Sequence, residues 1–314
     1  MKKLSLLKDR AMMLAKARLF FSERNVIEVD CPILSRYAAV DEHIDLIPAT
    51  YANQQICYLH SSPEYGMKRL IAEGIGDIFQ LSHVFRDGEY GVKHNPEFMM
   101  AEWYRMQFSF DQMIEETIAF IRLFLGDLPY KCMTYKELFQ KYAGIDYLEA
   151  SIEDLKKHIH IAGIDQIHSI AGEDRDGLLN VILGLMIEPQ LGINEFFVLT
   201  HYPASQAALA QTVLHGQEKV AERFEVYFKG VELANGYHEL ANAQEQRKRF
   251  EEANQHREKW LGKKALPIDE NFLKALEKGL PECCGVAVGF DRLMMLRHQC
   301  ATLAEVIPFE WSSA

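Results

Sequence analysis

The sequence predicts an α+β protein built on a mainly antiparallel sheet flanked by helices. Three observations carry that expectation. The segment around Arg86 reads as strand, loop, strand. Residues 223–228 are β-branched and aromatic and lead into a second hairpin that carries Glu225 and Glu232. Helical runs surround these strands, at residues 5–25, 109–125 and 243–260.

In chain order, Leu6, Leu7, Met13, Leu14, Ala17, Phe20 and Phe21 follow a helical period, and residues 25–32 then turn into a strand that stops at Pro32. Pro63 stands near the first turn of a short helix that runs through residues 67–72. Residues 78–85 are a buried strand that delivers Arg86. Ser109 with Gln112 forms a capping box for a helix through Leu125. Thr134 with Glu137 signals another, which stops at Gly144, and residues 151–188 are again helical, with Ser151 as a cap. Residues 196–200 and 285–289 are strand-like, the latter spaced by glycines and leading to Arg292 at a helix start. With no internal repeat or low-complexity linker, residues 1–314 read as one domain with a helical insertion at about 134–190.

Composition narrows the function classes. The chain is 48% hydrophobic and 25% charged, ordinary values for a soluble globular protein, and 314 residues can bury a substantial core. No apolar run approaches the ~20 residues that cross a bilayer, and the N-terminus turns charged before a signal core develops. Six cysteines lack metal-ligand spacing, adjacent Cys283 and Cys284 read as small buried residues, and a cytoplasmic location follows as the simplest expectation. A net charge of −11 argues against a large nucleic-acid footprint. Arg247-Lys248-Arg249 and the lysines of residues 259–264 read as solvated helix faces. His158, His160, His201 and His215 show no metal pattern.

Chemistry concentrates in Phe85-Arg86-Asp87-Gly88-Glu89, His94-Asn95-Pro96-Glu97-Phe98 and Glu102-Trp103-Tyr104. An arginine, a histidine, a stackable ring and several carboxylates suit ATP: the cation meets a phosphate, the ring covers the purine, and the acids await a metal or an amine. A second half follows downstream, with Glu225, Glu232, Asn235 and Glu239, then Gly289 and Arg292. Two carboxylates seven residues apart on a hairpin can converge on a hard cation such as Mg²⁺.

The helix of residues 5–25 with the strand that stops at Pro32, the segment around Arg86 and the downstream half ending at Arg292 resemble motifs 1, 2 and 3 of class II aminoacyl-tRNA synthetases, most closely those of the lysyl enzyme's catalytic domain, over residues 4–309. The start of this chain almost at motif 1, with no oligonucleotide-binding barrel ahead of it, resembles the elongation factor P–lysine ligases, which attach β-lysine to a lysine of a translation factor. The resemblance implies a class II synthetase-like domain, homodimeric through motif 1, that uses ATP and Mg²⁺. Arg86 would hold the α-phosphate and Arg292 the β- and γ-phosphates; Asp87, Gly88, Glu89, His94, Asn95, Phe98, Leu233 and Gly289 would line the nucleotide. Glu225 and Glu232 would hold the metal. Ser62, Pro63, Glu64, Glu102, Tyr104, Asn235, Glu239 and Ala287 would form the lysine pocket, in which acids meet two ammonium groups.

Two positions depart from the lysyl pattern. Gly88 stands where that pattern has glutamate, so either Glu89 takes over or backbone groups of Asp87 and Gly88 suffice. Ala287 replaces a glycine, which narrows the pocket floor and favours a β-amino substrate, a preference worth ~1 kcal/mol. The expected reaction is activation of (R)-β-lysine or lysine and its transfer to elongation factor P, with tRNA not the expected acceptor. Three alternatives stand beside it. A minimal lysyl-tRNA synthetase would charge tRNA. An amide-forming ligase acting on a carboxylate side chain would call for basic pocket residues that are not found. A regulatory pseudo-synthetase would usually lack the phosphate arginines, and both are present.

Overall fold

The structure, a computed structural model, describes residues 2–164 and 174–314. Among the described residues, a nine-stranded sheet runs in the order β1 (Ile27–Glu28), β5 (Ile78–Phe85), β6 (Glu97–Met106), β12 (Cys283–Gly289), β11 (Val231–His238), β10 (Glu218–Phe228), β8 (Phe196–Pro203) and β7 (Tyr130–Thr134), with β9 (Thr212–His215) beside β10. Only the two outermost pairs, β1 with β5 and β7 with β8, are parallel. A small sheet of β2 (Leu34–Ser35), β4 (Gln55–Leu59) and β3 (Pro48–Tyr51) stands apart. The mainly antiparallel sheet expected from sequence is therefore present.

Strand alternation gives the sheet two faces with different tasks. One face is apolar. Phe79, Ala101, Trp103, Phe224, Val226, Ala234, Val286 and Val288 pack against α1 (Lys2–Ser22), α3 (Phe110–Leu125) and the helix that follows β12. The Phe21 ring stacks on Phe79 at 4.3 Å and lies 5.4 Å from Phe120 and 5.2 Å from Trp103. Each such buried ring contributes about 1.5–3 kcal/mol by burial alone. The other face carries the polar residues of the site, and the register that joins its strands fixes where they stand.

Several helix boundaries follow the local signals. Ser109 and Thr134 each make a reciprocal capping box, with Gln112 and Glu137, at the starts of α3 and α4 (Tyr135–Tyr142). Ser151 does the same with Asp154 for α5 (Ile152–Ile161). Residues 165–173 of the expected helical stretch lie outside the described residues. Beyond them, α6 (Arg175–Val181) continues into a π-helical turn, Ile182–Ile187, and a 3-10 turn, Glu188–Gln190. Pro189, which has no N–H to donate, stands in that last turn. The expected strand at residues 25–32 is shorter than its pattern. β1 ends at Glu28, and the Gln80 side chain takes the Cys31 N–H at 2.8 Å in place of a ladder partner.

The remaining helices frame the site. α2 (Glu64–Ala72) packs against α8 (Glu270–Gly279), with the Tyr65 ring stacked on Phe272 at 4.4 Å. α7 (Ala243–Lys259) carries the basic run, which is paired within the protein: Arg247 to Glu270, Lys248 to Glu252, Arg249 to Glu245 and to the carbonyls of Ala208 and Ala210. α9 (Phe290–Arg297) is tied to α1 by the buried Arg10–Asp291 pair. Asp291 also accepts the Met99 N–H at 2.8 Å, so the helix bearing Arg292 is pinned to β6.

Candidate active site

Strand register assembles the polar face. Gln80, Glu102, Ala287, Asn235 and Glu225 stand side by side across β5, β6, β12, β11 and β10. Two residues along each strand, on the same face, Tyr104, Gly285, Tyr237 and Arg223 form a second row. All of these except Gln80 line one cavity of about 360 Å³, so residues far apart in sequence converge on it.

One end of the cavity is acidic. Glu102 is 2% exposed and both its oxygens accept hydrogen bonds, from Ser62 Oγ at 2.7 Å and Tyr104 Oη at 2.8 Å. Ser62 Oγ in turn accepts the Glu64 N–H at 3.0 Å, at the first turn of α2. Burial, and then the neighbouring Glu64 charge, push the Glu102 carboxyl up to about 8. Glu239 is also raised to about 8, again by burial first, while the Lys68 ammonium at its side opposes that shift. Gly285 makes room for this group: a Cβ there would stand 2.3 Å from Tyr104 Cε1 and 2.4 Å from Glu239 Oε1.

The other end carries two arginines, Arg86 and Arg292. Arg86 lies with its guanidinium carbon 5.1 Å from the centre of the Phe98 ring and one nitrogen 3.7 Å from Glu89. Arg292 donates to the Glu232 carbonyl at 3.0 Å, meets the Glu232 carboxylate at 3.2 Å and reaches His94 Nε2 at 2.9 Å. Burial, and then the Arg292 charge, hold His94 below its ordinary pKa, so its ring accepts from Arg292. Glu232 is raised by burial and by Glu225, with Arg292 and Arg86 opposing. Both arginines therefore act on one carboxylate.

Of the residues singled out from sequence, Ser62, Glu64, Arg86, Glu89, His94, Asn95, Phe98, Glu102, Tyr104, Glu225, Glu232, Leu233, Asn235, Glu239, Ala287, Gly289 and Arg292 line the cavity. Pro63, Asp87 and Gly88 do not. Pro63 caps α2, and the Asp87 N–H is spent on the Asp45 carbonyl at 2.8 Å. Gly88 takes φ +74°, a conformation that a glutamate would adopt only under strain, while Glu89, one residue on, faces the cavity. Asn95 is buried with its side chain already used: Nδ2 donates to the Glu97 carbonyl at 2.7 Å and Oδ1 accepts the Trp311 N–H at 3.0 Å. Gly289 has an ordinary φ of −71°, and a Cβ there would meet only the Arg292 side chain at 3.5 Å.

Several residues in or behind the cavity wall escaped the sequence reading. Lys68, fully buried, pairs with Glu64 and Glu239, and its only sequence signal is the i,i+4 spacing from Glu64. Arg223 donates to Glu225 Oε1 at 2.6 Å and stands two residues before it, on the same strand face. Glu188, pushed up to about 7 by burial and by Glu225 and Glu232, receives the Tyr227 hydroxyl at 3.2 Å. Residues 39–41, 43 and 44 form a loop wall. Arg257 holds that wall by donating to the carbonyls of Asp41, Glu42 and Ile44 at 2.9–3.3 Å.

The mainly antiparallel sheet, with Arg86 just beyond β5, Arg292 on α9 and the acid row between them, is the frame of an amino-acid-activating enzyme. The chain belongs to the tRNA synthetases class II (D, K and N), whose family profile matches residues 2–312. Among curated proteins it is similar to the elongation factor P–(R)-β-lysine ligase of Haemophilus influenzae, 44% identical over 317 residues that cover 97% of this chain and 94% of that one. It is equally similar to the enzyme of that name from Avibacterium paragallinarum, 44% identical over 311 residues (98% and 95%). The protein of that name from Salmonella gallinarum is 43% identical over 305 residues (96% and 93%).

Proposed function

We propose that this protein is an ATP-dependent ligase that activates (R)-β-lysine, or lysine, as an adenylate and transfers it to a lysine side chain of elongation factor P. The observation that carries this reading is the single cavity in which Arg86 and Arg292 stand at one end and Glu64, Glu102 and Glu239 at the other. The relatives named for the same reaction support the choice of acceptor.

In the first step the substrate carboxylate attacks the α-phosphorus of ATP in line; the P–O bond to the leaving pyrophosphate breaks and an acyl-phosphate bond forms. Arg86 would grip the α-phosphate oxygens as they gain charge, since a guanidinium fork makes two charge-assisted hydrogen bonds. Arg292 would hold the β- and γ-phosphates. Both interactions strengthen as charge develops, which is the basis of electrostatic catalysis. The adenine ring would stack on Phe98, and Glu89 stands where it can meet the base edge.

The substrate amines would enter the acidic end. The hydroxyls of Ser62 and Tyr104 already donate to Glu102, so their remaining lone pairs and the carboxylates offer only acceptors, which is what an ammonium group requires. In the second step an unprotonated ε-amine of the acceptor attacks the acyl carbon, and AMP leaves with the electron pair of the cleaved acyl–oxygen bond. Holding both reactants in place supplies most of the acceleration, and no side chain is required as a general base.

Mg²⁺ fits the carboxylates at the phosphate end. Among the described residues no cluster of three or more metal-ligating side chains exists, so Glu225 and Glu232 would share the ion with phosphate oxygens, as a hard cation that keeps few protein ligands does. When bound, the ion would offset negative charge on the phosphates.

A homodimer through the first helix accounts for an exposed apolar stripe: Leu4, Met12 and Leu19 lie on one face of α1 at 67%, 47% and 55% exposure, near Ile27. A cytoplasmic location agrees with six cysteines that form no disulfide. No helix of the described residues is long and apolar enough to cross a membrane.

The deciding test incubates the protein with ATP and each lysine isomer in the presence of elongation factor P or of lysine tRNA. A mass increase on the translation factor supports the proposal. Predominant tRNA charging would assign the protein to aminoacylation instead, and absence of amino-acid-dependent pyrophosphate exchange would assign it to a binding role.

A further inference from the structure

Lys68 is the most deeply buried cation beside the cavity. Its side chain is fully shielded, and its ammonium meets Glu64 Oε1 at 2.6 Å and the Glu239 carboxylate more closely still. It lies 6.0 Å from the ring centres of both Tyr104 and Phe272. An ammonium withdrawn from water on every side is costly unless it is paired, and removing it leaves its partners as uncompensated buried charges. The two partners come from different elements, one from the first turn of α2 and one just beyond β11.

We propose that Lys68 is a positioning residue of the amino-acid pocket, holding Glu64 and Glu239 in place and setting the pocket's charge to match a diamine. This rests on the lysine-ligase reading given above. Once Glu102 and Glu239 have given up their protons to receive ammonium groups, three carboxylates and one resident ammonium leave two negative charges, the number that the two ammonium groups of lysine or β-lysine cancel. A substrate with a single amine would leave one acid uncompensated. Lys68 also divides the acceptor sites. It takes one oxygen of Glu64 and one of Glu239, so the second oxygen of each, together with Glu102, is what remains for the substrate. Its own charge persists through the neutral range, since the attraction of Glu239 and Glu64 outweighs burial and raises its pKa.

The test is calorimetric binding of β-lysine, lysine and ATP to the full chain and to the variants Lys68→Met and Lys68→Arg. Lys68→Met is expected to weaken binding of both lysine isomers at least tenfold while leaving ATP affinity within twofold. Lys68→Arg, which keeps the charge in a bulkier fork, should show a smaller loss with the same selectivity. Unchanged lysine affinity in the folded variants, or parallel loss of lysine and ATP affinity, overturns the proposal; if Lys68→Met does not fold, the Lys68→Arg split decides alone. Failure of the wild-type protein to bind either lysine isomer would instead overturn the ligase reading on which the proposal stands.

Discussion

Raising the pH from 6 to 8 should tighten lysine binding strongly, because the pocket must lose protons to accept ammonium groups. Glu102 and Glu239 are both raised to about 8, chiefly by burial. A carboxyl with that pKa is roughly 1% ionised at pH 6 and about half ionised at pH 8. If one of them must ionise to receive the substrate, Kd falls roughly fifty-fold over the interval, and further if both must. The groups that face them do not blur the expectation. Lys68 stays charged, and the Tyr104 hydroxyl and the Cys283 thiol are both raised by burial and remain neutral.

Isothermal titration in two buffers of different ionisation enthalpy counts the protons released directly. Near pH 7, nearly two protons should leave per lysine bound when both acids ionise, and Glu102→Gln should reduce that number by about one while weakening affinity. The sign for stability is opposite. These two acids have folded pKa values above their ordinary range, so their contribution to the ligand-free protein is full below about 4.5 and is lost as pH rises through about 8. Lysine should therefore raise Tm more at pH 8 than at pH 6. A Kd that is flat from pH 6 to 8, with no buffer dependence, would refute the assignment of these acids to the amines.

Arg292→Ala should weaken ATP binding by roughly 10–100-fold, the value of a charge-assisted hydrogen bond, with lysine affinity unchanged in the same titration. Gly285→Ala should cost about 1–3 kcal/mol by overpacking, seen as a lower Tm, because its Cβ would stand 2.3 Å from Tyr104 and 2.4 Å from Glu239; lysine affinity should fall more than ATP affinity. Arg257→Met strips three loop carbonyls of their donor, at about 1–3 kcal/mol for each that stays dry. Amide exchange at residues 41–45 should accelerate by more than it does in the central strands.

What the sequence made legible is local chemistry with a period or a cap. Ser109, Thr134 and Ser151 are read correctly because each helix start is closed by its own residue three positions later. Residues 78–85 form β5 as expected because Ile78, Phe79, Leu81, Val84 and Phe85 make a short, mostly apolar run that admits a buried strand. Gly88 is the instructive departure. Its motif calls for an acid, yet the turn there needs a left-handed residue, so the acid toward the cavity comes from Glu89. What stayed hidden depends on contacts that no short window contains. Glu188 reaches Glu225 through the Tyr227 hydroxyl, 39 residues away, at the end of a π-helical turn that helical periodicity cannot distinguish from an ordinary helix. The loop of residues 39–44 has no pattern of its own, since its shape is imposed by Arg257 from more than two hundred residues downstream. Lys68 lies between these cases: its spacing from Glu64 is visible, but a lysine four residues after a glutamate ordinarily marks a solvated helix face. Only the arrival of Glu239 from β11 turns that pair into a buried charge triad. A motif can thus single out acids that share one cavity, whereas the cation that makes three such acids tolerable together is found only when the strands are brought together.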